Sequence, residues 1–177
     1  MFERILVAVD GSPTSNRGLK TAIDLAADQQ AALHVLHIVD ALAGVPSLEG
    51  AYFPTAYLDQ MSEALRDTGR EVLKKAESMA AARGVQAKVA LVESVGHTVA
   101  QAILGYARKQ RADLIVLGTH GRRGLSRALM GSDAEMVLRE ARVPVLMVRG
   151  PAAAPSSPGR RRGVAKAAPR PRAQAGA

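Results

Sequence analysis

DLIVLGTHGRRGLSRALMGSDAE, residues 113–135, runs from an unbroken apolar tetrad at 114–117 straight into four glycines and three arginines. Four consecutive apolar residues with no polar alternation predict a strand buried on both faces, the sign of a parallel sheet sandwiched between helices. Comparable runs stand on either side of it: RILVAV at 4–9, ALHVLHIV at 32–39, QAKVALVE at 86–93 and VPVLMVR at 143–149. Helical spacing fills the gaps between them. Ser12 is a suitable N-cap with Pro13 at the first helical position, and Leu19, Ala22, Ile23 and Ala26 recur behind it. Residues 57–83 carry Leu58, Met61, Leu65, Val72, Ala76 and Met79 on one stripe, with Gly84 as the expected stop. Thr98 and Gln101 form a capping-box pattern ahead of Val99, Ala102, Ile103, Tyr106 and Ala107. A last helix is expected over 132–141. The alternation β-α-β-α-β-α-β-α-β predicts an α/β fold: a single doubly wound domain, its sheet mainly parallel and helices on both faces.

Composition narrows the class. The chain has 177 residues, of which 47% are hydrophobic but only 3% aromatic, so the core is aliphatic. It has no cysteine, which excludes disulfides, thiolate metal sites and Cys nucleophiles. The first apolar run is shorter than a signal-peptide core, and no stretch approaches the roughly 20 apolar residues of a membrane span. A cytoplasmic, soluble protein is expected. The net charge of +8 resides mostly in one place: Arg160, Arg161, Arg162, Lys166, Arg170 and Arg172 lie beyond residue 149, where no acid stands. Without those six, 18 basic and 16 acidic residues remain, a balance of +2. The segment 150–177 also holds five of the nine prolines and is expected to be a disordered basic tail on a domain of residues 1–149. It reads either as a solubilising extension or as a weak, non-specific arm for polyanions.

In open parallel sheets, ligands sit beyond the carboxyl ends of the strands, where the strand order reverses. The residues after each strand therefore matter most. The run after strand four is neither a GxxxxGK[ST] loop nor a GxGxxG fingerprint. Its spacing is Gly118, two residues, Gly121, nine residues, then Gly131-Ser132. Gly118 and Gly121 allow close approach of backbone N–H groups to a ligand. Gly131-Ser132 opens a helix whose free N–H groups and dipole attract anions. Arg122, Arg123 and Arg127 add positive potential. A phosphate cradle fits this pattern. Tight turns, and an ordinary capping box between Ser132 and Glu135, fit it too. The histidines His34, His37, His97 and His120 show no metal-ligand spacing, and Tyr52, Phe53 and Tyr57 read as a loop anchor, a lid or part of a dimer contact.

The Gly118-x2-Gly121-x9-Gly131-Ser132 arrangement after the fourth strand resembles the nucleotide-binding signature of the universal stress protein family. ILVAVDGS at 5–12, LHIVD at 36–40, ADLIVLGTHGRRGL at 112–125 and VPVLMV at 143–148 are similar to its other hallmarks. The resemblance covers residues 1–149. It implies a five-stranded parallel sheet in the order 3-2-1-4-5, and a homodimer paired through the fifth strand, residues 143–148, with Val143 and Val148 at its ends. It also implies ATP as ligand, with Mg²⁺ accompanying the phosphates. By position, Ala8 and Asp10 would sit by the ribose and adenine, and Ile38 would touch adenine through its backbone. Leu117 and Gly118 would flank the nucleoside. Gly121, Gly131, Ser132 and the backbone of Asp133 would hold phosphates. Asp133 departs from the family's habit of an apolar residue after Gly-Ser, and a carboxylate there complements the helix dipole but repels a triphosphate.

These features imply an ATP-binding, nucleotide-responsive stress protein that acts through partners. The alternatives are a nucleotide-free interaction protein whose tail engages polyanions, or a slow ATP hydrolase. No paired acid–base or nucleophile–base set is identifiable, so the enzyme reading extends at most to weak hydrolysis.

Overall fold

Ile5, Leu6 and Val7 are each 0% exposed, the burial an unbroken apolar run requires when helices cover both faces of a sheet. They belong to β1, Arg4–Ala8. The computed structural model describes residues 1–40, 54–119 and 130–149. Within them β1 is followed by α1 (Pro13–Gln29), β2 (Ala32–Val39), α2 (Thr55–Ala81) and β3 (Ala87–Glu93). Then come α3 (Val99–Lys109), β4 (Leu114–Gly118), α4 (Ser132–Glu140) and β5 (Val145–Val148). All strands pair parallel in one sheet, ordered β3-β2-β1-β4-β5. Tyr52, Phe53, His120, Gly121, Arg122, Arg123, Arg127 and the basic tail lie outside the described residues.

Each strand divides its side chains between two aliphatic layers. Ile5, Val7, Leu33, Val35, Leu114 and Val116 face Leu19, Ala22 and Ile23 of α1 and Leu73, Ala76 and Ala80 of α2. Leu6, Leu36, Ile115 and Leu117 face Ala100, Ile103 and Leu104 of α3 and Val137 of α4. The fold is therefore doubly wound, with two helices on each face.

Local chemistry sets most helix starts. The Ser15 N–H donates to Ser12 Oγ at 3.1 Å, and Pro13 occupies the first turn of α1, where a missing N–H is harmless. At α3 the capping box is complete: Gln101 N–H donates to Thr98 Oγ1 at 3.2 Å and Thr98 N–H to Gln101 Oε1 at 3.0 Å. Two ends differ from the sequence reading. Helix α2 stops at Ala81 and tightens through Arg83 N–H to Ala80 O and Gly84 N–H to Ala81 O, both 2.9 Å. Gly84, at φ +72°, lies in the turn beyond. Strand β5 begins at Val145 instead of Val143. Pro144 has no N–H to give a ladder, although its carbonyl accepts from Ile115 N–H at 3.0 Å.

Helix α2 is longer than the strands it covers. Arg66 forks onto Glu93, the last residue of β3, at 2.7 and 3.2 Å. Residues 55–65 precede that level, so at 1.5 Å per residue the helix overshoots the carboxyl edge of the sheet by about 16 Å. Hydrogen bonding by Arg66 holds the Glu93 carboxyl below its ordinary range.

Candidate functional site

With this strand order the chain reverses direction across the sheet between β1 and β4, and the crevice lies at their carboxyl ends. At the end of β1, Gly11 takes φ +84° and Asp10 folds back, its Oδ1 accepting from Ser12 N–H at 2.9 Å. Asp10 N–H in turn points to Ser15 Oγ at 3.3 Å. The carboxylate thus organises the turn that launches α1, and it makes a further interaction besides.

At the end of β4, Gly118 lies directly against that same turn. A Cβ built on it would stand 3.0 Å from Thr14 Cγ2 and 3.1 Å from both Ser15 N and Thr14 C. The space beside its α-carbon is filled by protein, so glycine is required there by packing, whatever else the residue contacts. Beyond it, Thr119 N–H donates to Val148 O at 2.9 Å, and Thr119 O accepts from Gly131 N–H at 3.0 Å. The chain therefore returns at Gly131 to the point it left at Thr119.

Helix α4 starts at that return. Gly131 is its N-cap and brings no side-chain cap hydrogen bond. The alternative capping box between Ser132 and Glu135 does not form, because Ser132 already lies in the first helical position, and Glu135 N–H donates to Gly131 O at 2.9 Å. The start of α4 contrasts with those of α1 and α3, which Ser12 and Thr98 cap. Asp133 turns sideways: its Oδ1 accepts from Ala100 N–H, in the first turn of α3, at 3.3 Å.

Of the residues singled out from sequence, Asp10, Gly118, Gly131, Ser132 and Asp133 gather along one seam from the β1 turn to the start of α4. Ala8, Ile38 and Leu117 lie on the neighbouring α3–α4 face of the sheet. Gly121 lies outside the described residues. Two contributors, Thr119 and Ser15, went unnoticed in the sequence, and a third, His37, was read only as a histidine without metal-ligand spacing. Thr119, 7% exposed, is the pivot of the seam. Ser15 braces Asp10. His37, 4% exposed, donates from Nδ1 to Val9 O at 2.8 Å and pins β1 one residue before Asp10. Only the alternation of β2 hinted that His37 points inward, opposite to His34. The room for its ring comes from Gly69 of α2, whose Cβ would fall 2.7 Å from His37 Cδ2.

His34 is the other buried histidine. It is 5% exposed, its Nδ1 has no hydrogen-bond partner, and its ring meets Tyr106 edge-on with centroids 6.4 Å apart. Burial, helped by Lys88 on the adjacent strand, holds its pKa below the ordinary histidine value. Burial pushes the Tyr106 hydroxyl upward. His34 lies toward the opposite end of the sheet from Asp10, within the core. Among the described residues no cluster of three His, Cys, Asp or Glu gathers to hold a metal, and no helix is long and apolar enough to cross a membrane.

Sheet order and crevice together define a doubly wound α/β domain whose seam ends at a helix start with glycine as its N-cap, a setting suited to an anionic ligand. A family model described as the universal stress protein family matches residues 1–149, and the chain belongs to that family. A universal stress protein of Methanocaldococcus jannaschii is 37% identical over 153 residues, covering 85% of this chain and 84% of its own. A crystal structure of a family protein from Burkholderia pseudomallei is similar at 40% identity and TM-score 0.63, covering 82% of this chain and 94% of that one. A universal stress protein from Archaeoglobus fulgidus, described in complex with dAMP, shares the fold at 23% identity and TM-score 0.59, covering 82% of this chain and 97% of that one.

Proposed function

We propose that residues 1–149 form an adenine-nucleotide-binding stress protein whose ligand is ATP with Mg²⁺, and that it works as a nucleotide-responsive module through partners. The observation that carries this reading is the seam itself: Asp10 bonds to Ser15, Ser15 packs on Gly118, and Thr119 bonds to Gly131, at a helix start whose N-cap glycine offers no capping side chain. Free N–H groups at such a terminus, with the helix dipole behind them, suit phosphate. Gly121, Ser132 and the backbone of Asp133 would hold the phosphates. Asp10, Ala8, Ile38, Leu117 and Gly118 would take the nucleoside end, Asp10 accepting from ribose hydroxyls. The ATP phosphates supply most ligands for Mg²⁺, so a site without its own carboxylate cage is compatible with the pair. The dAMP complex of the Archaeoglobus relative is in keeping with this reading.

The domain would act as a cytoplasmic homodimer. The four residues of β5 are all half-buried and apolar, on a sheet edge, and such an edge invites pairing with a second copy. Residues 150–177 would extend from it as a basic tail making at most weak, non-specific contact with polyanions.

The test is thermal unfolding of the full chain with and without MgATP. At ligand about 100 times Kd, linkage stabilises by ~2.7 kcal/mol. Gly121→Val should abolish that gain by filling the space of a phosphate, while leaving nucleotide-free stability intact. Absence of any nucleotide effect on the wild type, and of nucleotide released from gently purified protein, would favour the nucleotide-free interaction protein. One observation points that way: Asp133 and Glu135 put two acids in the first turn of α4.

A further inference from the structure

We infer that Asp133 is a specificity-determining residue: a carboxylate held between two helix starts that lowers the preference of the crevice for ATP over less highly charged adenine nucleotides. The inference rests on the proposed placement of phosphates at the start of α4.

Asp133 is the second residue of α4, and its side chain reaches across to the second residue of α3, where Oδ1 accepts from Ala100 N–H at 3.3 Å. One carboxylate therefore lies between two helix N-termini and meets the positive end of each dipole. Its role at α3 is structural. The capping box satisfies Gln101 N–H through Thr98, and Asp133 supplies the acceptor for Ala100, so the two together serve adjacent donors that the helix leaves orphaned.

That engagement has a consequence for the ligand. An exposed acid in a first turn, such as Glu135, can swing into solvent and be screened. Asp133 rotates away only by giving up its bond to Ala100 N–H. Its negative charge stays in the first turn of α4 and offsets part of the positive field of that terminus. What remains there is hydrogen-bonding capacity with weaker net attraction. A monophosphate or cyclic phosphate uses that capacity with small repulsion. A triphosphate brings more charge to the same place and is repelled more, because the interaction grows with the product of the charges.

Two variants separate the two roles. Asp133→Asn keeps an oxygen for Ala100 N–H and removes the charge. Asp133→Val removes both. Affinities for AMP and ATP are measured by titration calorimetry on the full chain in one Mg²⁺-containing buffer, and exchange of the Ala100 amide is followed without ligand. Asp133→Asn is expected to raise the ATP-to-AMP affinity ratio about tenfold, mainly by tightening ATP, with Ala100 exchange unchanged. Asp133→Val is expected to raise the ratio similarly while accelerating Ala100 exchange. An unchanged ratio in both variants, with wild-type binding intact, overturns the inference. So does a falling ratio, which would mean that Asp133 holds the metal of MgATP. If the wild type binds neither nucleotide, the proposed function falls with it, and Ala100 exchange still reports whether Asp133 caps α3.

Discussion

Gly18 and Gly118 face each other where α1 crosses β4, and replacing each by alanine should have opposite effects. At Gly118 the added Cβ would lie 3.0 Å from Thr14 Cγ2 and 3.1 Å from backbone atoms of Thr14 and Ser15. Two of those three neighbours are backbone at the start of a capped helix and cannot rotate aside. The helix start must move by a few tenths of an ångström, against Ser12 Oγ and Asp10 Oδ1, which fix the turn. Overpacking of this kind costs roughly 1–3 kcal/mol. The reduced backbone freedom of alanine returns about 0.5–1 kcal/mol, leaving a net loss of about 1–2 kcal/mol for Gly118→Ala. For a domain of this size that lowers Tm by about 2–4 °C per kcal/mol. At Gly18 the nearest atom to a built Cβ is Gly118 N at 3.6 Å, ordinary contact distance. Gly18 lies inside α1, where glycine is disfavoured relative to alanine by about 0.8–1 kcal/mol, so Gly18→Ala should stabilise by roughly that amount. Urea unfolding of the two variants beside the wild type reads both signs in one assay. A neutral or stabilising Gly118→Ala would refute the claim that packing against α1 by itself requires glycine there.

Two further outcomes follow from other parts of the fold. His34 has a folded-state pKa below its unfolded value, so below about pH 6.5 the unfolded chain binds more protons and stability falls; His34→Leu should lose less stability between pH 7.5 and pH 5.5 than the wild type in urea titrations, and an identical loss would remove His34 from the acid response. Deleting residues 151–177 should leave Tm and the nucleotide response unchanged, because that segment has no large aliphatic beyond Val164 to bury; a marked drop in Tm would show that the tail packs on the domain.

What was legible in the sequence depended on range. The apolar runs at 5–7 and 114–117 marked buried strands because parallel sheets leave no polar face to show. Ser12-Pro13 and Thr98–Gln101 marked helix starts because capping is settled within four residues. Strand order was not readable from periodicity and came from the resemblance, since crossovers leave no local trace. The failures share one cause. Ser132 and Glu135 have capping-box spacing, yet Gly131 takes the cap position because its N–H is tied to Thr119. Val143 has a strand-former's side chain, yet Pro144 delays the ladder. Asp133 read as complementing its own helix dipole and repelling a triphosphate, and its bond to Ala100, 33 residues away, is invisible to any local pattern. At Gly118 nothing in the sequence signals a second demand for glycine, the packing of Thr14 and Ser15 beside it.

The hydrogen bond from Gly131 to Thr119 brings the two ends of one interval of the chain to the same place. Both ends are anchored at one point of the frame: Thr119 by β5, Gly131 by Thr119. The entropy of closing such a segment rises only slowly with its length, about 0.6 kcal/mol per doubling. A change in the length of chain between these two residues therefore costs the sheet little in closure entropy. Under the proposed function, selection could rewrite ligand contacts carried by this interval while the scaffold is inherited unchanged. For an engineer the same junction is a ready insertion point, with Thr119 and Gly131 as the fixed terminals between which a new recognition loop can be spliced.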